Sequence, residues 1–154
     1  MDVQTTAVTL VLIGVCIAPF YFMNRKNLRY RKIVLKNLSA FASKNSCIVE
    51  ETDVWGESVI AIDKSNQKLI YSGHATNNGE FKIIDLSEVS SCAILKSDDD
   101  HGRIKKLALH LALGTKSNAF IEFYSNDRLM PINNELELIN KWEKIINNNL
   151  KKLD

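Results

Sequence analysis

Lys105–Gly114 reads KKLALHLALG, and the fold turns on whether this stretch is a helix or a strand. Alanine and leucine both favour helix. Yet Leu107, Leu109, Leu111 and Leu113 recur at every second residue, alternating with Lys106, Ala108, His110 and Ala112. A period of two lines one face of a pleated strand, whereas a helical stripe needs apolar residues three and four apart. The spacing predicts a strand, with His110 on the sheet face opposite the leucines.

Once this segment is a strand, its neighbours fall into the same pattern. Upstream, Cys47–Asp53 (CIVEETD) and Glu57–Asp63 (ESVIAID) flank Trp55 and Gly56, which read as a hairpin turn. Lys68–Ser72 follows Ser65 and Asn66, Glu80–Leu86 follows the polar loop HATNNG, and Ser91–Lys96 runs into the acidic loop SDDDHGR. Downstream, Ala119–Tyr124 (AFIEFY) makes a seventh strand. The period then changes. From Asn134, NELE is a capping-box arrangement, and Leu138, Ile139, Trp142, Ile145, Ile146, Leu150 and Leu153 form one helical stripe, with Glu137 and Lys141 paired outside it.

Seven short strands and then one amphipathic helix bearing Trp142 form an order that resembles the pleckstrin-homology-like superfold over about residues 46–150. The resemblance implies an α+β domain at 46–154: a seven-stranded antiparallel bent barrel capped by a C-terminal helix at 134–150, with Trp142 as its plug. Phosphoinositide-binding members of that superfold use lysines and arginines around the first hairpin. The matching segment here, EETDVWGES, has four acids and no base, so that ligand is not carried over. Trp55 at its tip is a candidate contact for a partner or for lipid; the alternative is that it folds back on its own hairpin.

Further out lies the N-terminal end. Ala7–Met23 (AVTLVLIGVCIAPFYFM) is uncharged over 17 residues, extended by Thr5 and Thr6. At about 1.5 Å per residue this run spans roughly 26–28 Å, near the thickness of a bilayer core. A cleaved signal would carry its positive charges before the apolar core, where only Asp2 stands. The expectation is therefore a short tail at 1–4 and a transmembrane helix at 5–23. Seven bases and no acid follow between Asn24 and Lys44, and bases flanking a span stay on the cytoplasmic side. That predicts a single-pass protein of the cell (inner) membrane, with its N-terminus outside and its C-terminal domain cytoplasmic. Arg25, Lys26, Arg29, Arg31, Lys32 and Lys36 are the candidate membrane-surface residues, facing anionic headgroups at about 1 kcal/mol each.

The same bases belong to an amphipathic juxtamembrane helix at 24–45. Leu28, Tyr30, Val34, Leu35, Leu38, Phe41 and Ala42 fall on one face and Arg25, Arg29, Lys32 and Lys36 opposite, while Arg31 and Ile33 break the pattern. Its apolar face either lies in the lipid interface or packs on the domain or on a second copy.

Other chemistries are poorly represented. With 45% hydrophobic and 25% charged residues the chain has a globular composition. From Asn45 onward 13 bases face 17 acids, which argues against a nucleic-acid binder. Cys16, Cys47 and Cys92 show no CxxC spacing, so neither a zinc site nor a disulfide framework is expected. An EF-hand starting at Asp98 would need a glycine at Arg103 and an acid at Leu109. His74, His101 and His110 sit on separate elements, and no nucleophile elbow, P-loop or dinucleotide fingerprint is present. Neither enzyme activity nor a cofactor is expected. The expected function is a membrane-tethered cytoplasmic interaction module that docks a protein partner or the membrane surface. The alternative is a structural or assembly subunit of a membrane complex, with homo-oligomers forming through the helices.

Overall fold

The computed structural model of the chain describes residues 28–75, 79–114, 118–128 and 132–150. A helix, α1 (28–44), precedes four strands, β1 (Glu51–Trp55), β2 (Ser58–Asp63), β3 (Lys68–Ser72) and β4 (Lys82–Asp85). Three longer strands follow, β5 (Val89–Asp98), β6 (Ile104–Leu113) and β7 (Ala119–Ser125), and the helix α2 (Glu135–Leu150) comes last. KKLALHLALG lies in β6. Leu107, Leu109 and Leu111 are fully buried on the inner face, and His110 stands on the outer face with its ring 5.0 Å from that of Phe120.

The strands form two sheets, each antiparallel and in sequence order: β1-β2-β3-β4 and β5-β6-β7. This corrects the expected single seven-stranded barrel, since no ladder joins the two sheets among the described residues. The break comes where Asp85 ends β4. Its carboxylate accepts from Ser87 N at 3.0 Å and caps a 3-10 turn, Leu86–Glu88, that carries the chain from one sheet to the other. Side chains cover the far edge in place of a strand. The Trp55 indole N–H donates to Phe123 O at 3.1 Å and the Tyr71 hydroxyl to Glu122 O at 3.4 Å, both on β7.

The larger core fills the space between the sheets and under α2, with Ile60, Ile62, Leu69, Leu107, Leu109, Leu111, Ile121, Ile139, Trp142 and Ile146 all at zero exposure. A second core lies on the outer face of the first sheet, where Val34, Leu38 and Ala42 of α1 pack on Val59, Ala61 and Ile70. β2 is consequently buried at all six positions, Ile60 and Ile62 facing one core and Val59 and Ala61 the other. Each large aliphatic side chain so covered contributes roughly 1.5–3 kcal/mol. Asn37 Nδ2 donates to Ala75 O at 2.8 Å, and Phe41 stacks on Phe81 at 4.9 Å, fixing α1 against the β3–β4 connection.

Asp63 pins the chain where it enters the sheet. It is buried, and its carboxylate accepts from Ile48 N (2.7 Å), Asn66 Nδ2 (2.7 Å) and Asn66 N (2.8 Å). Burial by itself would raise this carboxyl; the hydrogen bonds from Asn66 and Ile48, with Lys68 nearby, outweigh it and hold the carboxyl below its ordinary value.

The single-pass architecture also needs correction. No helix among the described residues is long and apolar enough to cross a membrane. Both α1 and α2 are amphipathic, and the exposed bases Arg29, Arg31, Lys32 and Lys36 interrupt α1. The stretch expected to span, 5–23, lies outside the described residues, as do Arg25 and Lys26.

Candidate functional site

α1 has two faces with separate tasks. Val34, Leu38 and Ala42 turn to the sheet. Arg29, Lys32, Ile33 and Lys36, at helix spacings i, i+3, i+4 and i+7, turn to solvent and are all exposed. Arg31 belongs by spacing to the sheet side, three and seven residues before Val34 and Leu38, yet it too is exposed. The helix therefore overhangs the sheet ahead of Val34, which accounts for Arg31 departing from the amphipathic pattern. Leu28 and Tyr30, expected on the packing face, share this overhang and are 54% and 49% exposed; Ile33 is 46% exposed. Of the expected apolar face, Val34, Leu38 and Ala42 are buried, and Leu35 and Phe41 are half-buried.

Arg29, Arg31, Lys32 and Lys36 enter no ion pair among the described residues, where the bridging cations are Lys64, Lys96, Arg103, Lys106 and Lys141 and the His74 ring lies 3.3 Å from the Glu57 carboxylate. The surface thus combines unneutralised positive charge with three exposed apolar side chains.

Trp55 is elsewhere and has another role, which corrects its place as a candidate contact. It is the last residue of β1, not part of the turn; the turn is Gly56–Glu57, with Gly56 at φ 52. That register sends the indole inward. It is 7% exposed and lies parallel to the Phe123 ring at 4.5 Å, so it is not available to lipid or a partner. Trp142 is fully buried in the larger core.

Three features of the surface were not singled out in the sequence. Asp53 accepts hydrogen bonds from both Trp142 and Lys141 of α2. Asn147 pairs with the edge of β5 through both amide atoms, Nδ2 donating to Cys92 O at 3.0 Å and Oδ1 accepting from Cys92 N at 3.4 Å. Such an amide imitates a neighbouring strand and blunts the open edge. Leu95 and Phe120 lie exposed on the outer face of the second sheet.

Cys92, Asp99, Glu51 and Lys64 are engaged structurally. Burial, with Glu143 adding to it, pushes the Cys92 thiol up to about 12, so it carries no thiolate near neutrality. Asp99 closes the β5–β6 hairpin by accepting from Arg103 N (2.8 Å), His101 N (2.9 Å) and Arg103 Nε (2.9 Å). An open groove of about 460 Å³ runs between Glu51, Lys64, Ile145, Asn148 and Asn149, but its two charged groups, Glu51 and Lys64, pair with each other. Among the described residues no three His, Cys, Asp or Glu side chains converge as metal ligands.

Comparison with protein families, with curated proteins and with solved structures found no match to this chain.

Proposed function

We propose that the protein is an interaction module that docks on an anionic membrane surface through the outward face of α1. One observation carries this reading: four exposed bases, unpaired among the described residues, share a helix with exposed Leu28, Tyr30 and Ile33, while the opposite face of that helix is already spent on the sheet. Bases near anionic headgroups contribute roughly 1 kcal/mol each, and apolar side chains between them enter the headgroup region. The docked side is proposed to be the cytoplasmic leaflet, where anionic lipid gives the stronger negative potential. The α+β domain is then held at the surface, free to meet a protein partner. The succession of four strands, three strands and a helix with buried Trp142 supports the resemblance to the pleckstrin-homology-like superfold as part of the proposal, without the phosphoinositide cradle of its first hairpin.

Sedimentation with vesicles tests the reading on a chain that starts at residue 24, so that the uncharged run before it does not contribute. The protein should pellet with anionic vesicles and stay in solution with zwitterionic ones. Changing Arg29, Arg31, Lys32 and Lys36 together to Glu should abolish pelleting while leaving the circular dichroism unchanged. Equal recovery on both vesicle types would overturn the reading.

A second reading, an assembly subunit, is favoured by the exposure of Leu95 and Phe120 on the outer sheet face. Light scattering of the protein and of a Leu95→Ser, Phe120→Ser variant would detect self-association through that patch.

A further inference from the structure

Resting on that docking reading, we infer that α1 responds to the overall charge of a bilayer surface of monoanionic lipids and does not grip an individual polyphosphate headgroup. A headgroup carrying several phosphates is held by bases that converge on one point, helped by backbone N–H groups or bidentate arginines around it. α1 presents the opposite geometry. Arg29, Lys32 and Lys36 are strung along one convex helical face, the first and last about 10 Å apart along the axis, and Arg31 leaves from a different side of the helix.

Among the described residues, neither the first hairpin nor the groove beside α2 offers them a basic cradle. The β1–β2 hairpin segment EETDVWGES contains four acids and no base. The groove beside α2 has one lysine, Lys64, engaged by Glu51. Ile33 stands within the row of bases, and Leu28 and Tyr30 project with Arg31 on the overhang. Apolar side chains interleaved with charge find acyl chains to cover them in a fluid interface; a single headgroup leaves them in water. Row spacing and interleaving together select a surface, read by its charge density.

The full-length chain carrying an environment-sensitive fluorophore at position 33 (Ile33→Cys in a Cys16→Ser background) tests the inference. It would be added to zwitterionic vesicles, to vesicles containing phosphatidylglycerol, and to vesicles containing a bisphosphorylated inositol lipid at matched surface charge. The expected result is the same fluorescence gain on both anionic surfaces and none on the zwitterionic one. The gain should be lost as ionic strength rises from about 0.1 M to about 1 M and the Debye length falls from roughly 10 Å to 3 Å. Arg29→Gln, Lys32→Gln and Lys36→Gln should each weaken the response alike, by about fivefold.

A preference of more than about tenfold for the inositol lipid at equal charge, or a single substitution accounting for the whole loss, would overturn the inference while leaving surface docking in place. Equal gain on all three vesicles, from the full chain and from a chain starting at residue 24 alike, would remove the docking reading itself.

Discussion

The Trp142 indole N–H donates to Asp53 Oδ2 at 2.9 Å, tying the terminal helix to the first strand across 89 positions of sequence. Lys141 Nζ reaches the same oxygen at 2.5 Å, so one carboxylate of β1 seats two successive residues of α2. The indole ring itself lies at zero exposure between the sheets.

Trp142→Ala removes that ring from a closed core and is expected to cost about 3–5 kcal/mol in urea unfolding. Trp142→Phe keeps most of the apolar contact and strands the Asp53 carboxylate of one donor, for a cost of about 1–3 kcal/mol. A double-mutant cycle with Asp53→Ala should show coupling between the two positions, and additivity would mean that the hydrogen bond is idle.

Asp63 makes part of the stability depend on pH. Its folded carboxyl lies below the ordinary value of 3.8, so between the two values the unfolded chain binds more protons and stability rises with pH. The contribution is complete above 3.8 and is lost as pH falls through the lower folded value. Asp63→Ala is expected to cost about 3 kcal/mol near neutrality, since three donors lose a buried acceptor. The gap between the two unfolding midpoints should narrow in strong acid; a gap independent of pH would contradict the assignment.

Cys92 should resist maleimide at pH 8 in the folded protein and react on unfolding, because a thiol pushed up to about 12 carries almost no thiolate there. Peptide mapping after timed labelling checks this directly. Rapid modification without loss of structure would show that the site opens.

Gly56 permits the β1–β2 turn through its backbone and not through space. An added Cβ would meet nothing within 4 Å, yet φ is +52. Gly56→Ala should therefore cost about 1–2 kcal/mol from the left-handed conformation alone, visible as a lowered melting temperature. Gly114→Ala, also with open space around it and without a positive φ, should cost less.

Much of the architecture is local in origin. The two-residue period of Leu107, Leu109 and Leu111 needs no knowledge of the neighbouring strands, because pleating alone puts alternate side chains on one face. The stripe through Ile139, Trp142 and Ile146 identifies the buried side of α2 in the same way. The block of bases between Asn24 and Lys44 is equally plain, and it locates the candidate surface without any coordinates.

Trp55 illustrates what local pattern leaves open. Its indole points inward because β1 extends to residue 55 and the turn is Gly56–Glu57, whereas a turn one residue earlier would have placed the same ring at the tip. Strand register is set by pairing, and a slip of one residue exchanges the two faces. The division into two sheets likewise depends on Asp85 capping the turn after β4 and on Trp55 reaching Phe123, 68 residues away.

Composition and periodicity determined which segments are strands, which side of each helix is apolar and where positive charge gathers, since those depend on neighbours a few residues apart. Tertiary packing decided that α1 spends its apolar face on β2 and β3 and overhangs with Leu28, Tyr30 and Arg31 exposed. The reason is geometric: a helix face is covered only as far as the sheet beneath it extends, and that length is set by partners distant in the chain.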